Sequence, residues 1–557
     1  MPEATVGSYL ATRLQELGLR EYFAIPGDFN MALLDELLKH PGLGMINCCN
    51  ELNMGYAADG YARGRGLAAM VLTFEVGGLS ALNAVAGAYA ENLPVIVISG
   101  GPNLASMARN RIIHHTRAEP EGGETCVREV FKTITAHAVT IRDAATAAPA
   151  IDEALGIALA TRKPVYLEIA CDLAAAPVSA AHPLTLAPAR LSDPHSLAAA
   201  LEHAERFLNG ARRPVLVAGG RLRSAGALAA FQALAAACGY GVACMPDAKG
   251  SYLEGDPQFL GIYWAGISSA GCREAVEGSD ACLFAGPVFS DFTTMGFTAK
   301  VRPECLLDAS PGRIVLEGQS YHGIELAHFL EGLAPRLGAN PAALEAHRHP
   351  GPPLVTVPAP SLSTRRLFQI LGAHLEARTT VVAETGDTWF NAVELPLPAG
   401  CRFEVQMQYG SIGWSVGACL GLMVADPDRR VLGLIGDGSF QMGAQEVSTM
   451  LRYGCQGLLV VMNNGGYTVE TMIHDGPYNV IQPWRYADLI EVFKGRGRGW
   501  GRVVRTEPDL LEALAAARAT EGLCLLEAVL DPKDCNPHLR TWGAAVAEYN
   551  ARPLPFT

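Results

Sequence analysis

The segment from residue 431 to 470, VLGLIGDGSF through GLLVVMNNGGYTVE, constrains the fold more than any other part of the chain. Residues 431–435 are a short apolar run and read as a buried strand. Gly436-Asp437-Gly438-Ser439 reads as a tight turn. Residues 445–453 place Val447, Met450 and Leu451 on one helical face, and 458–462 form a second buried strand that ends at Asn463-Asn464-Gly465-Gly466. Strand, helix and strand make a βαβ unit. The turns that follow its two strands lie at the same edge of a parallel sheet, where ligands bind. That edge collects the Asp437 carboxylate, the Asn464 amide and the carbonyls of a glycine-rich turn. A small set of hard oxygens suits Mg²⁺, which shares its octahedral shell with phosphates. Gly438 and Ser439 stand near the start of the helix, whose free N–H groups favour a phosphate. A GDG alone is common in ordinary βα turns, so the inference rests on its pairing with Asn-Asn-Gly-Gly.

At 557 residues, nearly half of them apolar, the chain can build about two to four domains with sizeable cores. Its formal charge of −13 comes without a basic patch or run, which argues against nucleic acid and anionic membranes as partners. Fourteen cysteines lack CxxC or zinc-like spacing. Cys282, Cys419 and Cys455 stand in apolar or Gly/Ala-rich contexts and read as buried thiols of a reducing compartment. The adjacent Cys48 and Cys49 read as strand residues. Residues 1–18, with Glu3 and Glu16, read as a short start and an amphipathic helix, not a signal or transit peptide. Residues 227–245 are uncharged and nominally long enough to span a membrane, but Gln232, Gly239 and Gly241 break them. Helix-turn-strand is the better reading. The expectation is a soluble, cytoplasmic protein with no membrane partner.

The rest of the chain alternates helix and strand in the same way. In residues 1–180 strands are expected at 22–25, 44–49, 70–73 and 94–99, with helices at 9–17, at 79–89 and from Glu51 onward. Residues 172–195 are rich in Ala and Pro and read as a linker. A second pattern fills 195–345, with strands at 214–218 and 281–285; GGRLRSAG from Gly219 reads as a strand-to-helix turn rather than a nucleotide loop. Residues 336–362, including HPGPP at 349–353, are again Pro- and Ala-rich, and the third unit spans 360–557. Alternating βα units predict doubly wound parallel sheets, so the fold class is α/β with three such domains.

Several strings are more specific than GDG. GDG followed by Asn at this separation is similar to the thiamin diphosphate fingerprint. Gln408-Tyr409-Gly410-Ser411-Ile412-Gly413-Trp414-Ser415, Tyr467-Thr468-Val469-Glu470 and His474-Asp475-Gly476-Pro477-Tyr478-Asn479 resemble segments of the plant, algal and bacterial pyruvate decarboxylases. These are thiamin diphosphate-dependent 2-oxo acid decarboxylases, and the resemblance covers essentially the whole chain. It implies thiamin diphosphate and Mg²⁺ as cofactors and non-oxidative decarboxylation of a small 2-oxo acid, foremost pyruvate. It implies a pyrimidine-binding first domain and a diphosphate-binding third domain that share a fold.

Residue by residue, the resemblance implies that Asp437, Asn464 and the Gly466 carbonyl ligate Mg²⁺. Gly438, Ser439, Asp387 and Thr388 would face the phosphates. The Gly410 carbonyl and Ile412 N–H would hold the pyrimidine, with the Ile412 side chain bending the cofactor. Glu51 looks like the family's glutamate for cofactor activation. The string NRIIHHT implies proton traffic through Asp28, His114, His115 and Glu470, with Asp28 and His115 as a relay. Phe292, Trp389, Val469 and Ile473 would line the substrate pocket. The family sets each site between the first domain of one subunit and the third of another, which implies a dimer with shared sites and usually a homotetramer.

Two departures from the family pattern stand out. Glu75 occupies a position that is often neutral, and a like charge near Glu51 would raise one of the two pKa values. The reading places Glu75 in solvent. Phe292 stands where Tyr is common and Val469 where Ile is common; both changes remove atoms and predict room for 2-oxobutanoate. The enzyme alternatives are an aryl- or branched-chain 2-oxo acid decarboxylase and a carboligase. An acetolactate synthase would be expected to bind flavin and lack the His pair. A non-catalytic homologue usually lacks a catalytic residue, and none is missing. A fermentative role and one in amino-acid breakdown both remain open.

Overall fold

The computed structural model describes residues 4–117, 125–178, 190–345, 347 and 361–551. Three sheets organise them. The first holds β1 (Glu21–Ala24), β2 (Gly44–Asn47), β3 (Ala68–Thr73), β4 (Val95–Gly101), β5 (His137–Ile141) and β6 (Val165–Ala170). The second holds β7 (Pro214–Ala218), β8 (Gly241–Cys244), β9 (Phe259–Ile262), β10 (Ala281–Ala285), β11 (Leu306–Ser310), β12 (Gly312–Leu316) and β13 (Gln319–Ile324). The third holds β14 (Thr379–Ala383), β15 (Arg402–Glu404), β16 (Arg430–Gly436), β17 (Gly457–Asn463), β18 (Gly499–Val504) and β19 (Leu523–Val529).

The first sheet runs β2-β1-β3-β4-β6-β5 and the third β15-β14-β16-β17-β19-β18, every pairing parallel. Renumbered within each unit, the two orders are identical, so the first and third units share a topology. Central strands such as β3 and β4 are buried at every position, which is why they read as unbroken apolar runs with helices on both faces. The second sheet is parallel from β11 to β9 but ends in an antiparallel extension, β12 and β13. Glu317 and Gly318 join those strands with φ of 48° and 76°, the left-handed pair that a two-residue hairpin requires. The Ala/Pro linker lies partly, and HPGPP at 349–353 wholly, outside the described residues, as does Glu3. No helix among the described residues is long and apolar enough to cross a membrane; 227–245 form a helix (Leu228–Cys238), a left-handed Gly239 and β8.

One helix pair joins the first and third units. Helix Glu51–Arg65 starts at Asn50, whose side chain accepts the Asn53 N–H at 2.8 Å, and stops at Gly66 with φ 90°. It lies against helix Trp414–Ala425, all twelve residues of which are buried. A helix apolar on every face belongs in a core. Backbone meets backbone here: a Cβ on Gly421 would stand 1.9 Å from the Ala57 carbonyl oxygen. Deeper polar contacts lock the pair, with the Trp414 indole N–H on Asp59 at 2.9 Å and Arg63 on the same carboxylate at 2.7 Å. Gly421→Ala should therefore destabilise the fold by about 3 kcal/mol or more, since the obstacle is backbone and cannot rotate away; a thermal melt within a degree of wild type would contradict this packing.

Three local expectations are corrected. Cys48 and Cys49 lie beyond β2 in the bend before helix Glu51–Arg65, with Cys48 buried and Cys49 exposed. Asp437-Gly438-Ser439 is not a free turn but the start of helix Asp437–Gly443. Glu75 is not in solvent: it is 2 % exposed, and its carboxylate accepts the Cys126 N–H at 2.7 Å. A partner far along the chain overrode the usual solvation of a charged turn residue.

Candidate active site

The turns after β14, β16 and β17 converge at the carboxyl edge of the third sheet around a small cleft. Asp437, 1 % exposed, is the hub. Its carboxylate accepts the N–H groups of Gly438 (2.7 Å), Gly465 (2.7 Å) and Asn464 (3.1 Å), binding the turn after β16 to the turn after β17. Burial pushes the Asp437 carboxyl upward, and these N–H bonds oppose the shift. The Asn464 amide N–H₂ donates to Thr468 Oγ1 at 2.6 Å, which leaves its Oδ1 uncommitted. Gly466 bridges Val480, and a Cβ there would lie 2.3 Å from the Asn479 carbonyl oxygen. The second glycine of GDG is crowded too, since a Cβ on Gly438 would stand 2.4 Å from the Tyr467 ring, which would have to move.

The opposite wall comes from the start of helix Asp387–Val393. Asp387 Oδ1 accepts the Asn536 N–H at 3.1 Å, whereas Oδ2 is buried without a partner. Burial raises this carboxyl to about 7. It is therefore largely protonated through the mildly acidic range and able to donate a hydrogen bond to an anionic oxygen. The Thr388 hydroxyl donates to the Glu384 carbonyl. Glu384, which sequence reasoning passed over, is fully buried and clasps two loops together. Its carboxylate accepts Thr385 N (2.9 Å), Gly413 N (3.3 Å), Ser415 N (3.1 Å) and Ser415 Oγ (2.6 Å). It thereby fixes the Gly410–Ile412 loop beside Asp387, and Ile412 lines the cavity. The signal was present: a carboxylate directly after an apolar strand, with no basic neighbour, must find N–H groups.

A second cluster sits at the carboxyl edge of the first sheet. Asp28 Oδ2 lies 2.7 Å from His114 Nε2, and Asp28 Oδ1 lies 3.7 Å from His115 Nε2. The Phe29 ring packs against both imidazoles, 4.9 and 5.9 Å between centroids. Glu51 is half-buried in the first turn of its helix, and its Oε1 stands 3.2 Å from where a Cβ on Gly77 would be.

Three family models match the chain: "Thiamine pyrophosphate enzyme, N-terminal TPP binding domain" over residues 4–120, the corresponding central domain over 201–314 and the C-terminal TPP binding domain over 388–528. Pyruvate decarboxylase 3 of Arabidopsis thaliana is 46% identical over 562 residues, covering 99% of this chain and 94% of that protein. Pyruvate decarboxylase 1 of Pisum sativum is 46% identical over 563 residues, with 99% and 94% covered. Pyruvate decarboxylase 1 of Oryza sativa subsp. indica is 46% identical over 561 residues, with 99% and 92% covered. The chain belongs to the thiamin diphosphate-dependent pyruvate decarboxylase family. Its cofactor is thiamin diphosphate, and Mg²⁺ is the family's usual partner metal.

The residues present fit both groups. The orphaned, protonatable Asp387 Oδ2 suits a phosphate oxygen, and the Asp437 carboxylate with the free Asn464 Oδ1 suits a hard cation. The residues lining the cavity all come from the third unit, Thr385 through Val469. Within one chain of this decarboxylase family, then, the structure groups Asp387, Thr388, Ile412, Asp437, Gly438, Ser439, Asn464, Gly466 and Val469. It groups Asp28, His114 and His115 separately, and neither these nor Glu51 line the cavity. Glu470 is exposed beside Val469. Trp389 is 1 % exposed, its ring 4.0 Å from where a Cβ on Gly410 would be. Phe292 packs between Trp389 and Trp542 with centroids 5.5 and 4.8 Å away, and half-buried Ile473 packs against the same core; these three lie outside the cavity wall.

Asp387 yields a pH prediction. Its folded value of about 7 exceeds the ordinary 3.8, so the protonated carboxyl favours the fold and this contribution is lost as pH rises from about 4 through about 7. Asp387→Asn has no proton to lose. The cofactor-free variant should gain on wild type by up to about 4 kcal/mol between pH 4 and 8, measured by denaturant melts; parallel curves would rule this out.

Proposed function

We propose that this protein decarboxylates pyruvate to acetaldehyde and CO₂, using thiamin diphosphate and Mg²⁺. The observation that carries the reading is the separation of roles: an oxygen-only anchoring site on the third unit and the Asp28–His114–His115 acid–base cluster on the first. Relatives named pyruvate decarboxylase, 46% identical across 99% of the chain, support it. When bound, the cofactor supplies a carbon nucleophile that stabilises the negative charge left by departing CO₂. Asp437, Asn464 and the Gly466 carbonyl would hold Mg²⁺. Gly438, Ser439, Asp387 and Thr388 would face the diphosphate. Gly410 and Ile412 would hold the pyrimidine, and Glu51 would keep a proton at its ring nitrogen.

Asp28, His114, His115 and Glu470 would carry protons to and from the substrate, as positioned groups within hydrogen-bond reach can. Trp389, Phe292, Val469 and Ile473 would shape the space above the reacting carbon. Because the two clusters are apart in one chain, the working unit would be a dimer, with the first unit (1–180) of one copy completing the third unit (360–557) of the other around the central unit (195–345); a homotetramer, a cytoplasmic location and a fermentative role belong to the same proposal.

The test is acetaldehyde and CO₂ release from pyruvate with both cofactors added, and again after a chelator strips them. Cofactor-dependent acetaldehyde is the expected result. Acetolactate or acetoin as the main product would make the protein a carboligase. Val469 lines the cavity with one carbon fewer than Ile, so 2-oxobutanoate should also turn over, at a rate within about tenfold of pyruvate; turnover of pyruvate alone would refute that part.

A further inference from the structure

We propose that Glu75 is a positioning residue that holds the segment bearing His114 and His115 in its working place; this rests on the proposed proton-transfer role of the pair. Glu75 precedes helix Val76–Ala90 at the position from which a short polar side chain ordinarily caps the helix. It makes no such cap. Its carboxylate instead leaves the helix and accepts the Cys126 N–H at 2.7 Å, the Cys126 thiol at 2.8 Å and the Val127 N–H at 3.4 Å. A second buried carboxylate assists, since Glu168 Oε2 accepts the Thr125 hydroxyl at 2.8 Å. The start of helix Cys126–Phe131 is thus held by two acids, Glu168 of β6 and Glu75 of the turn after β3. Arg117 closes the circuit: its Nε donates to Cys126 Sγ at 3.4 Å, two residues after the histidine pair.

The residue before Glu75 serves the same end. The Phe74 ring lies 4.8 Å from Phe29 and 6.1 Å from His115. One short turn after β3 therefore both supports the imidazoles and ties down their segment. Glu51 Oε1 faces the first turn of the same helix, at Gly77, so this turn touches both groups of the proposed chemistry.

The backbone points the same way. Glu75 has φ 51° and ψ −92°, a conformation natural to glycine and strained for a side chain. A residue kept only for the fold would be better as glycine. The bonds its carboxylate makes offset that strain.

Glu75→Gly and Glu75→Gln, in the full-length protein, separate the possibilities. Glu75→Gly relieves the backbone, so its melting temperature should equal or exceed wild type. Amide hydrogen exchange at residues 111–117 and 125–131 should accelerate by about tenfold, and kcat should fall about tenfold with KM nearly unchanged. Glu75→Gln can still accept the Cys126 N–H and should recover most of both. Wild-type exchange in those segments of Glu75→Gly would overturn the proposal. So would a melting temperature that falls in both variants in step with activity, which marks a role in the fold alone. Absence of decarboxylase activity in the wild type would instead defeat the proposed function, while the exchange comparison still decides the clamp.

Discussion

Glu51→Gln is expected to keep thiamin diphosphate affinity within about tenfold of wild type while turnover falls by roughly 10²–10⁴-fold, the range for a lost acid–base group. The substitution preserves shape and removes only the transferable proton. Glu51 also has an ordinary structural use, as a carboxylate in the first turn of helix Glu51–Arg65. That use is worth about 0.3–1 kcal/mol. Asn50 already caps the helix, so Glu51→Gln should fold. The two roles therefore predict different experiments. A helix-end carboxylate alone would leave turnover intact and lower the melting temperature slightly. A proton-holding group would leave the melt nearly unchanged and abolish most of the acetaldehyde released under saturating cofactor. Isothermal titration of the cofactor and a coupled acetaldehyde assay on one preparation distinguish them.

Why the contacts of Asp437 were legible in the spacing and the burial of Glu75 was not comes down to what lies between each residue and its partners. Asp437 sits between β16 and β17, unbroken apolar strands whose βαβ connection places both turns at one edge; its N–H partners are its neighbour and the turn ending the next strand. Local spacing therefore encodes the site. Glu75 reads as a solvated turn acid because its partners begin 51 residues later, beyond any periodicity. Glu384 was passed over for a different reason: the loop it clasps lies about as far along the chain as the partners of Asp437, but β15, the strand before that loop, has only three residues, Arg402–Glu404, and shows no apolar run. The shared topology of the first and third sheets was expected from the resemblance and is present, but the residue patterns alone did not reveal it. Strand order depends on where each crossover returns, and unrelated apolar runs satisfy the same order. β12 and β13 escaped notice because half their residues face water, which weakens the apolar signal. What the residue spacing alone left silent, the placing of Asp387 and Ile412 beside Asp437, follows from tertiary contacts such as Glu384 to Ser415.

Asp437→Asn should be felt through the cofactors rather than through the bare protein. In the absence of a cation the Asp437 charge is a burden: burial raises its carboxyl, and only backbone N–H groups offset that. The amide removes the burden but turns an N–H₂ toward Gly438 or toward Asn464 and Gly465, which are themselves donors. These effects oppose each other, so the cofactor-free variant should melt near wild type. The difference appears on adding ligand. A protein gains RT ln(1 + [L]/Kd), about 2.7 kcal/mol at ligand a hundred times its dissociation constant. With affinity weakened a hundredfold, the gain at the same concentration drops to about 0.4 kcal/mol. Wild type should therefore show a clear rise in melting temperature with thiamin diphosphate and Mg²⁺, and Asp437→Asn almost none, with activity falling in parallel. An undiminished rise would mean that the cation is held elsewhere, and the turn after β16 would lose its assignment as the metal's anchor.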